Sequence, residues 1–301
     1  MRILMPIDGS SFSKAAVAFV ASRATLIKSQ PDVELLNVQY PVPLRAARAL
    51  GKEMVLSYHE SEANRVLKPA LATLKRAELK AGARYVVGTV AHELAAIVAA
   101  DAADLIVMGS HGDTGLKKLL LGSVASTVMA SCTTPMLVMR GKSASKKDSL
   151  KLAIALDGSQ YGVAAVRFFV KNRDFFGAAP TLTLVHVVPD LSNLVVPGFF
   201  GRVPVPGLKS EQVVAMQGAA FENAMAPARK LLELAGLGLA ATEVRLVGNN
   251  PGDQIAAYAT KNKLDLIALG SHGHGNLRNL VMGSITTKVL ASCKVPVLLV
   301  R

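Results

Sequence analysis

The residues best suited to chemistry occur in two matching sets. Gly109-Ser110-His111-Gly112 is followed, after nine intervening residues, by Gly122-Ser123, and Gly270-Ser271-His272-Gly273 is followed at the same distance by Gly283-Ser284. A glycine directly after a buried strand lets the backbone turn tightly and lets a ligand approach it. A Gly-Ser pair that opens a helix offers unbonded amides and a hydroxyl to an anion, assisted by the helix dipole. Two such turns bracket a volume that suits a polyphosphate, although the same glycines could serve only to shape turns. The pattern is neither a Walker loop nor the Gly-x-Gly-x-x-Gly dinucleotide fingerprint.

A carboxylate accompanies each set, as Asp8 in Ile7-Asp8-Gly9-Ser10 and as Asp157 in Leu156-Asp157-Gly158-Ser159. At a strand end it could accept hydrogen bonds from a ribose or an amine, or share Mg²⁺ with phosphates; it could equally cap the next helix. Val38 and Val187 close the second apolar run of each set and are core residues that could also support a base through their backbone. His111 and His272 could touch phosphate, but a lone histidine makes no metal site. No other repeated carboxylate offers a general base, so no catalytic set is assigned. Lys117 and Lys118 are matched by Arg278 and Asn279, which keeps one charge and reads as a solvated face. Cys132 and Cys293 form no Cys-x-x-Cys pair and suit packing better than redox work.

The elements that hold these residues also repeat. Residues 6–10 and 35–38 find their echoes at an offset of 149, and 104–112 with Cys132 and Pro135 find theirs at 161, so the second copy is 12 residues longer in its middle. In copy one the strand candidates are 2–7, 33–38, 84–88, 104–109 and 135–140. Their unbroken apolar runs suit parallel strands covered on both faces. The helical patterns fall at about 12–28, 47–80, 91–101 and 120–131, with Pro69 and Pro227 expected to bend or break the long second helix. This predicts two tandem α/β domains, each a doubly wound, five-stranded parallel sheet of order 3-2-1-4-5 with its ligand loops beyond the strands' carboxyl ends. The expected bounds are 1–140, a polar linker over 141–150, and 151–301. The final strands, 135–140 and 296–300, are apolar edges that invite pairing with each other.

Composition excludes several classes. Two cysteines in 301 residues cannot carry a disulfide scaffold, and no apolar stretch reaches the length of a spanning helix. Stable membrane insertion is therefore not expected, and the cytoplasm is the expected address. The net charge of +13 divides as +5 over 1–140, +3 over 141–151 and +5 over 152–301. Such an even spread favours anionic partners without resembling a nucleic-acid-binding arm.

With these motifs, and with the endings Thr134-Pro135-Met136-Leu137-Val138 and Val295-Pro296-Val297-Leu298-Leu299, the chain resembles the universal stress protein family in its tandem form. The resemblance implies an adenine nucleotide alpha hydrolase-like fold and ATP as ligand, with Mg²⁺ as its companion. It implies that Asp8, Val38, Asp157 and Val187 lie near adenosine and that the glycine-serine elements hold phosphate. It also implies a nucleotide that acts as a regulatory signal in a homo-oligomer or an intramolecular domain pair. A weak ATPase and a non-enzymatic scaffold with vestigial pockets are the alternatives. Copy two carries Gly248-Asn249-Asn250-Pro251 after its third strand, near the family's Gly-x-Pro pattern; copy one has Gly88-Thr89-Val90-Ala91, which weakens the adenosine side of its site.

The extra length of copy two, residues 191–207, has three Pro and three Gly, which exclude a regular helix. Its apolar load, with Phe199 and Phe200 as anchors, reads as a contact loop that folds back on its own domain, meets copy one or a second chain, or touches a membrane transiently. Changing both phenylalanines to Ser is expected to lower self-association or ATP affinity without unfolding the chain. Light scattering and nucleotide titration on one sample check this, and unchanged mass, affinity and melting temperature would refute it.

Overall fold

The computed structural model describes residues 1–27, 30–100, 102–111, 121–141, 145, 147–191, 195–198, 201–204, 210–271 and 282–301. Copy one comprises β1 (Arg2–Pro6), α1 (Ser11–Ala21), β2 (Asp32–Gln39), α2 (Leu44–Leu50), α3 (Lys52–Arg76), β3 (Ala81–Val87), α4 (Val90–Ala100), β4 (Leu105–Gly109), α5 (Ser123–Ser131) and β5 (Met136–Met139). Copy two comprises β6 (Lys151–Ala155), α6 (Gln160–Lys171), α7 (Arg173–Phe176), β7 (Thr181–Val188), β8 (Val195–Gly198), β9 (Gly201–Pro204), α8 (Ser210–Leu234), β10 (Ala241–Val247), α9 (Pro251–Lys261), β11 (Leu266–Gly270), α10 (Ser284–Ser292) and β12 (Val297–Val300).

The large strands form one sheet, in the order β10-β7-β6-β11-β12-β5-β4-β1-β2-β3. Each half runs parallel in the order expected from its apolar runs, but the halves are not two separate sheets. β12 pairs antiparallel with β5, Leu298 opposite Leu137, flanked by Val297 with Val138 and Leu299 with Met136. Leu137 and Leu298 are themselves equivalents in the repeat, so a local twofold relation passes between them. Pairing satisfies the ladder groups that each four-residue apolar strand would otherwise expose at an edge.

Alternate side chains along the strands feed two cores, one on each face. Ile3, Met5, Leu35, Val107, Leu137 and Leu298 pack with α1, α3, α6 and α8. Leu4, Leu36, Ile106, Val138, Val297 and Leu299 pack with α4, α5, α9 and α10. Because both faces are covered, an apolar residue is stable at every strand position, which explains the unalternating runs.

Three local features add to what the sequence implies. The long helical pattern of copy one breaks at Gly51, whose φ of +82° suits glycine, whereas Pro69 and Pro227 lie inside α3 and α8. Both prolines are exposed, so water can satisfy the carbonyls that lose an amide partner. The extra segment of copy two includes a hairpin, with β8 and β9 antiparallel from Val195↔Pro204 to Gly198↔Gly201; Phe199 and Phe200 lie outside the described residues. The polar linker is anchored. Asp265 accepts from Lys147 Nζ at 2.8 Å, Ser145 Oγ at 3.2 Å and the Lys151 amide at 2.9 Å. The fully buried Arg23 donates to the Lys147 carbonyl, and its burial lowers the guanidinium pKa while Asp148 and Asp265 oppose that shift.

Cys132 and Cys293 are helix-end packing residues, donating Sγ–H to the carbonyls of Val128 and Val289. Burial pushes both thiols upward, which keeps the nucleophilic thiolate scarce.

Leu137 is fully buried where the halves join. Leu137→Ala is expected to cost about 2–5 kcal/mol, measured by urea unfolding.

Candidate functional site

In a parallel sheet every strand of one half ends on the same side, and at that end of copy one lies a cavity of about 640 Å³. Its lining includes Asp8, Val38, Gly109, His111, Gly122 and Ser123, residues drawn from four separate segments of the sequence. Gly112 lies outside the described residues, as do Lys117 and Lys118. The volume is within the roughly 300–1,000 Å³ usual for small-molecule sites.

The turn after β1 is built by three residue types. Gly9 takes φ +83°, Asp8 Oδ1 accepts the Ser10 amide at 3.0 Å, and Ser10 Oγ accepts the Ser13 amide at 3.2 Å as the N-cap of α1. Ser10, not Asp8, is therefore the cap, and the exposed Asp8 retains acceptor capacity toward the cavity. Copy two repeats the device with Gly158 at φ +83°, Asp157 bound to the Ser159 amide at 2.9 Å, and Ser159 as the cap of α6.

The glycine-serine turns are held to each other. The Gly122 amide donates to the Ser110 carbonyl at 2.8 Å, and the Gly283 amide donates to the Ser271 carbonyl at 3.0 Å. Those two glycine amides are consequently engaged. The first intrahelical bonds run from Ser126 to the Gly122 carbonyl and from Thr287 to the Gly283 carbonyl. The N-terminal amides left for an anion in copy one are those of Ser123, Val124 and Ala125, all at the cavity wall. His111 lies beside them, its Nδ1 3.0 Å from Ser110 Oγ and its ring 5.8 Å from that of Phe12.

Gly109 has a packing duty as well. A Cβ there would come within 2.7 Å of Phe12 Cβ and 3.1 Å of the Ser13 amide nitrogen, and at Gly270 within 2.6 Å of Tyr161 Cβ. The missing side chain lets the first helix of each half lie against the fourth strand, which brings the capped turn close to the glycine turn.

The sequence reading missed much of the remaining wall: Asn37, Gln39 and Tyr40 around the end of β2, and Tyr58, Glu62 and Arg65 on α3. The spacing 58, 62, 65 places the α3 trio on one helix face; that was the available signal. Gln39 is oriented by three contacts, accepting from the buried His59 Nδ1 at 2.7 Å and donating to the Asn37 side chain at 3.0 Å and the His59 carbonyl at 2.9 Å. Arg65 pairs with Glu62 at 2.8 Å, so the cavity offers an anion mainly oriented amides.

In copy two, Asp157, Val187, Gly270, Gly283 and Ser284 occupy the equivalent strand and helix ends, while His272 and Gly273 lie outside the described residues. His186 replaces Asn37, its Nδ1 2.7 Å from the Leu156 carbonyl as Asn37 Nδ2 is 2.8 Å from that of Ile7. The loops after the third strands differ as the sequence suggests. Asn250 caps α9 and Pro251 begins it, whereas α4 starts at Val90, which lines the copy-one cavity. Since β5 and β12 are antiparallel, the two sets of carboxyl ends emerge on opposite sides of the sheet.

Residues 1–140 and 150–301 each match the universal stress protein family. This chain belongs to the universal stress protein family. A universal stress protein of Synechocystis sp. is 27% identical over 321 residues, spanning 100% of this chain and 99% of that one. Another, from Methanocaldococcus jannaschii, is 32% identical over 143 residues, 46% of this chain and 81% of its own length. Among solved structures, a universal stress protein from Archaeoglobus fulgidus has a TM-score of 0.66 at 20% identity, covering 100% of this chain and 98% of that one, a likeness of fold. Among the described residues no helix is long and apolar enough to cross a membrane, and no group of three or more His, Cys, Asp or Glu is placed to hold a metal ion.

Gly109→Ala is expected to lower unfolding stability by about 1–3 kcal/mol through overpacking. Gly82→Ala, where a Cβ meets nothing within 4 Å, is the control and should stay near wild type in the same denaturant titration.

Proposed function

We propose that the protein binds ATP and that occupancy acts as a regulatory signal in a stress response, within an adenine nucleotide alpha hydrolase-like fold. The observation that carries this reading is the convergence of Asp8, Val38, Gly109, His111, Gly122 and Ser123 on one cavity. Residues named from the repeated motifs and from the family resemblance share a single lining, with helix amides at the glycine-serine turns and apolar and amide side chains around β2.

The donor set fits the nucleotide. The amides of Ser123, Val124 and Ala125 suit phosphate oxygens, Asp8 suits a ribose hydroxyl or an amine, and Val38 with Tyr40 suits the apolar faces of a base. Bound Mg²⁺ would neutralise phosphate charge, with Asp8 as the nearby carboxylate and most of its ligands drawn from phosphate and water. In copy two the corresponding residues are Asp157, Val187, Gly270, His272, Gly273, Gly283 and Ser284. The two halves are read as domains 1–140 and 151–301 around a linker at 141–150, working as an intramolecular pair.

Each intact site is expected to contribute one ATP per chain in calorimetric titration. Asp8→Ala or Asp157→Ala should weaken its own site by about 5–150-fold, the loss of one ligand hydrogen bond at about 1–3 kcal/mol. A chain that carries no nucleotide when purified and denatured, and that fails to bind added ATP, would overturn the reading.

A further inference from the structure

Exposed apolar side chains are concentrated in one stretch of copy one. Tyr40, Leu44, Leu50, Met54, Leu56 and Tyr58 are 46–72% exposed, and they account for six of the eleven large hydrophobic residues exposed among the described ones. They lie on α2, the first turns of α3 and the segment leading into them. None of the α2 side chains is buried, and Ala47 alone is half-buried. At helical spacing Leu44, Ala47 and Leu50 share one side of α2, and Arg45 and Arg48 occupy the adjoining side.

Charge argues against a second copy, and shape against a protein partner. From Tyr40 to Tyr58 the chain carries Arg45, Arg48 and Lys52 against Glu53, a local net charge of +2. A second copy docking through the same face would set +2 against +2, because a twofold interface is self-complementary. A protein partner would have to supply a groove matched to a helix that stands clear of its own core. A bilayer interface needs no such match: leucine and methionine enter the acyl boundary, tyrosine rings rest at headgroup level, and arginine stems extend toward lipid phosphate.

We propose that residues 40–58 form a peripheral contact surface for anionic lipid. The chain's overall charge of +13 draws it toward such a surface at long range, and the exposed leucines hold it there. This surface stands independently of the nucleotide reading, although Tyr40 and Tyr58 belong to both the patch and the copy-one cavity wall.

Vesicle co-sedimentation of the full chain tests the proposal. Phosphatidylcholine vesicles containing about 30% phosphatidylserine should bind the protein at about 0.1 M salt and release it at about 0.5 M, and vesicles of phosphatidylcholine alone should not bind it. Arg45→Gln with Arg48→Gln should weaken binding about fivefold per arginine, and Leu44→Ser with Leu50→Ser roughly tenfold per leucine. All four side chains lie outside the cores, so melting temperatures should stay at the wild-type value. Equal binding to both vesicle types, binding to neither, or variants that sediment like wild type would overturn the assignment. So would a mass in light scattering that rises with concentration and returns to monomer in the leucine variant without vesicle binding, which would give the face to a second copy.

Discussion

Leu137 and Leu298 meet where the chain reverses the direction of its sheet, and the remaining architecture depends on that contact. Each half ends in a four-residue strand that is wholly buried, which is stable only if something covers its outer edge. Pairing the two edges does this in one step. It makes the sheet continuous and joins the cores across the boundary between copies. It also turns the carboxyl-end loops of the two halves away from each other.

The copy-one cavity depends on backbone orientation more than on charge. Asp8 and Glu62 offset the positive charge of Arg65, which already pairs with Glu62 at 2.8 Å. What remains for an anion is a helix start held in place by the bond between the Gly122 amide and the Ser110 carbonyl. Packing at Gly109 and capping by Ser10 therefore belong to the site as much as any side chain facing the cavity, because they fix where those amides point.

The strand order and the carboxyl-end location of the loops were legible because buried parallel strands and glycine turns leave strong local signatures. Asp8, Gly109 and Gly122 could be named from spacing for the same reason. The α3 wall was harder to see: Tyr58, Glu62 and Arg65 look like ordinary surface positions until the helix is laid against β2. Pro69 does not break α3 because it lies on the solvent side of the helix, and Gly51 supplies the break instead. The Gly122 amide looked available in sequence because its partner is a carbonyl, and carbonyls leave no trace in residue type. The join between halves was suggested by edge hydrophobicity, but only the fold reveals that Leu137 meets its own repeat equivalent.

The anchored linker has a consequence for assembly. Two separate chains that pair through edge strands must do so at a strength set by their concentration, and they come apart on dilution. Here Gly141 to Ser149 lead from the edge strand β5 into β6, the central strand of copy two, and Arg23 and Asp265 hold that connection against the body of the protein. The second edge is thus presented to the first at an effective concentration on the order of millimolar or above, whatever the abundance of the protein. The paired arrangement becomes a fixed property of the single chain, which a cell can keep at low copy number without losing it.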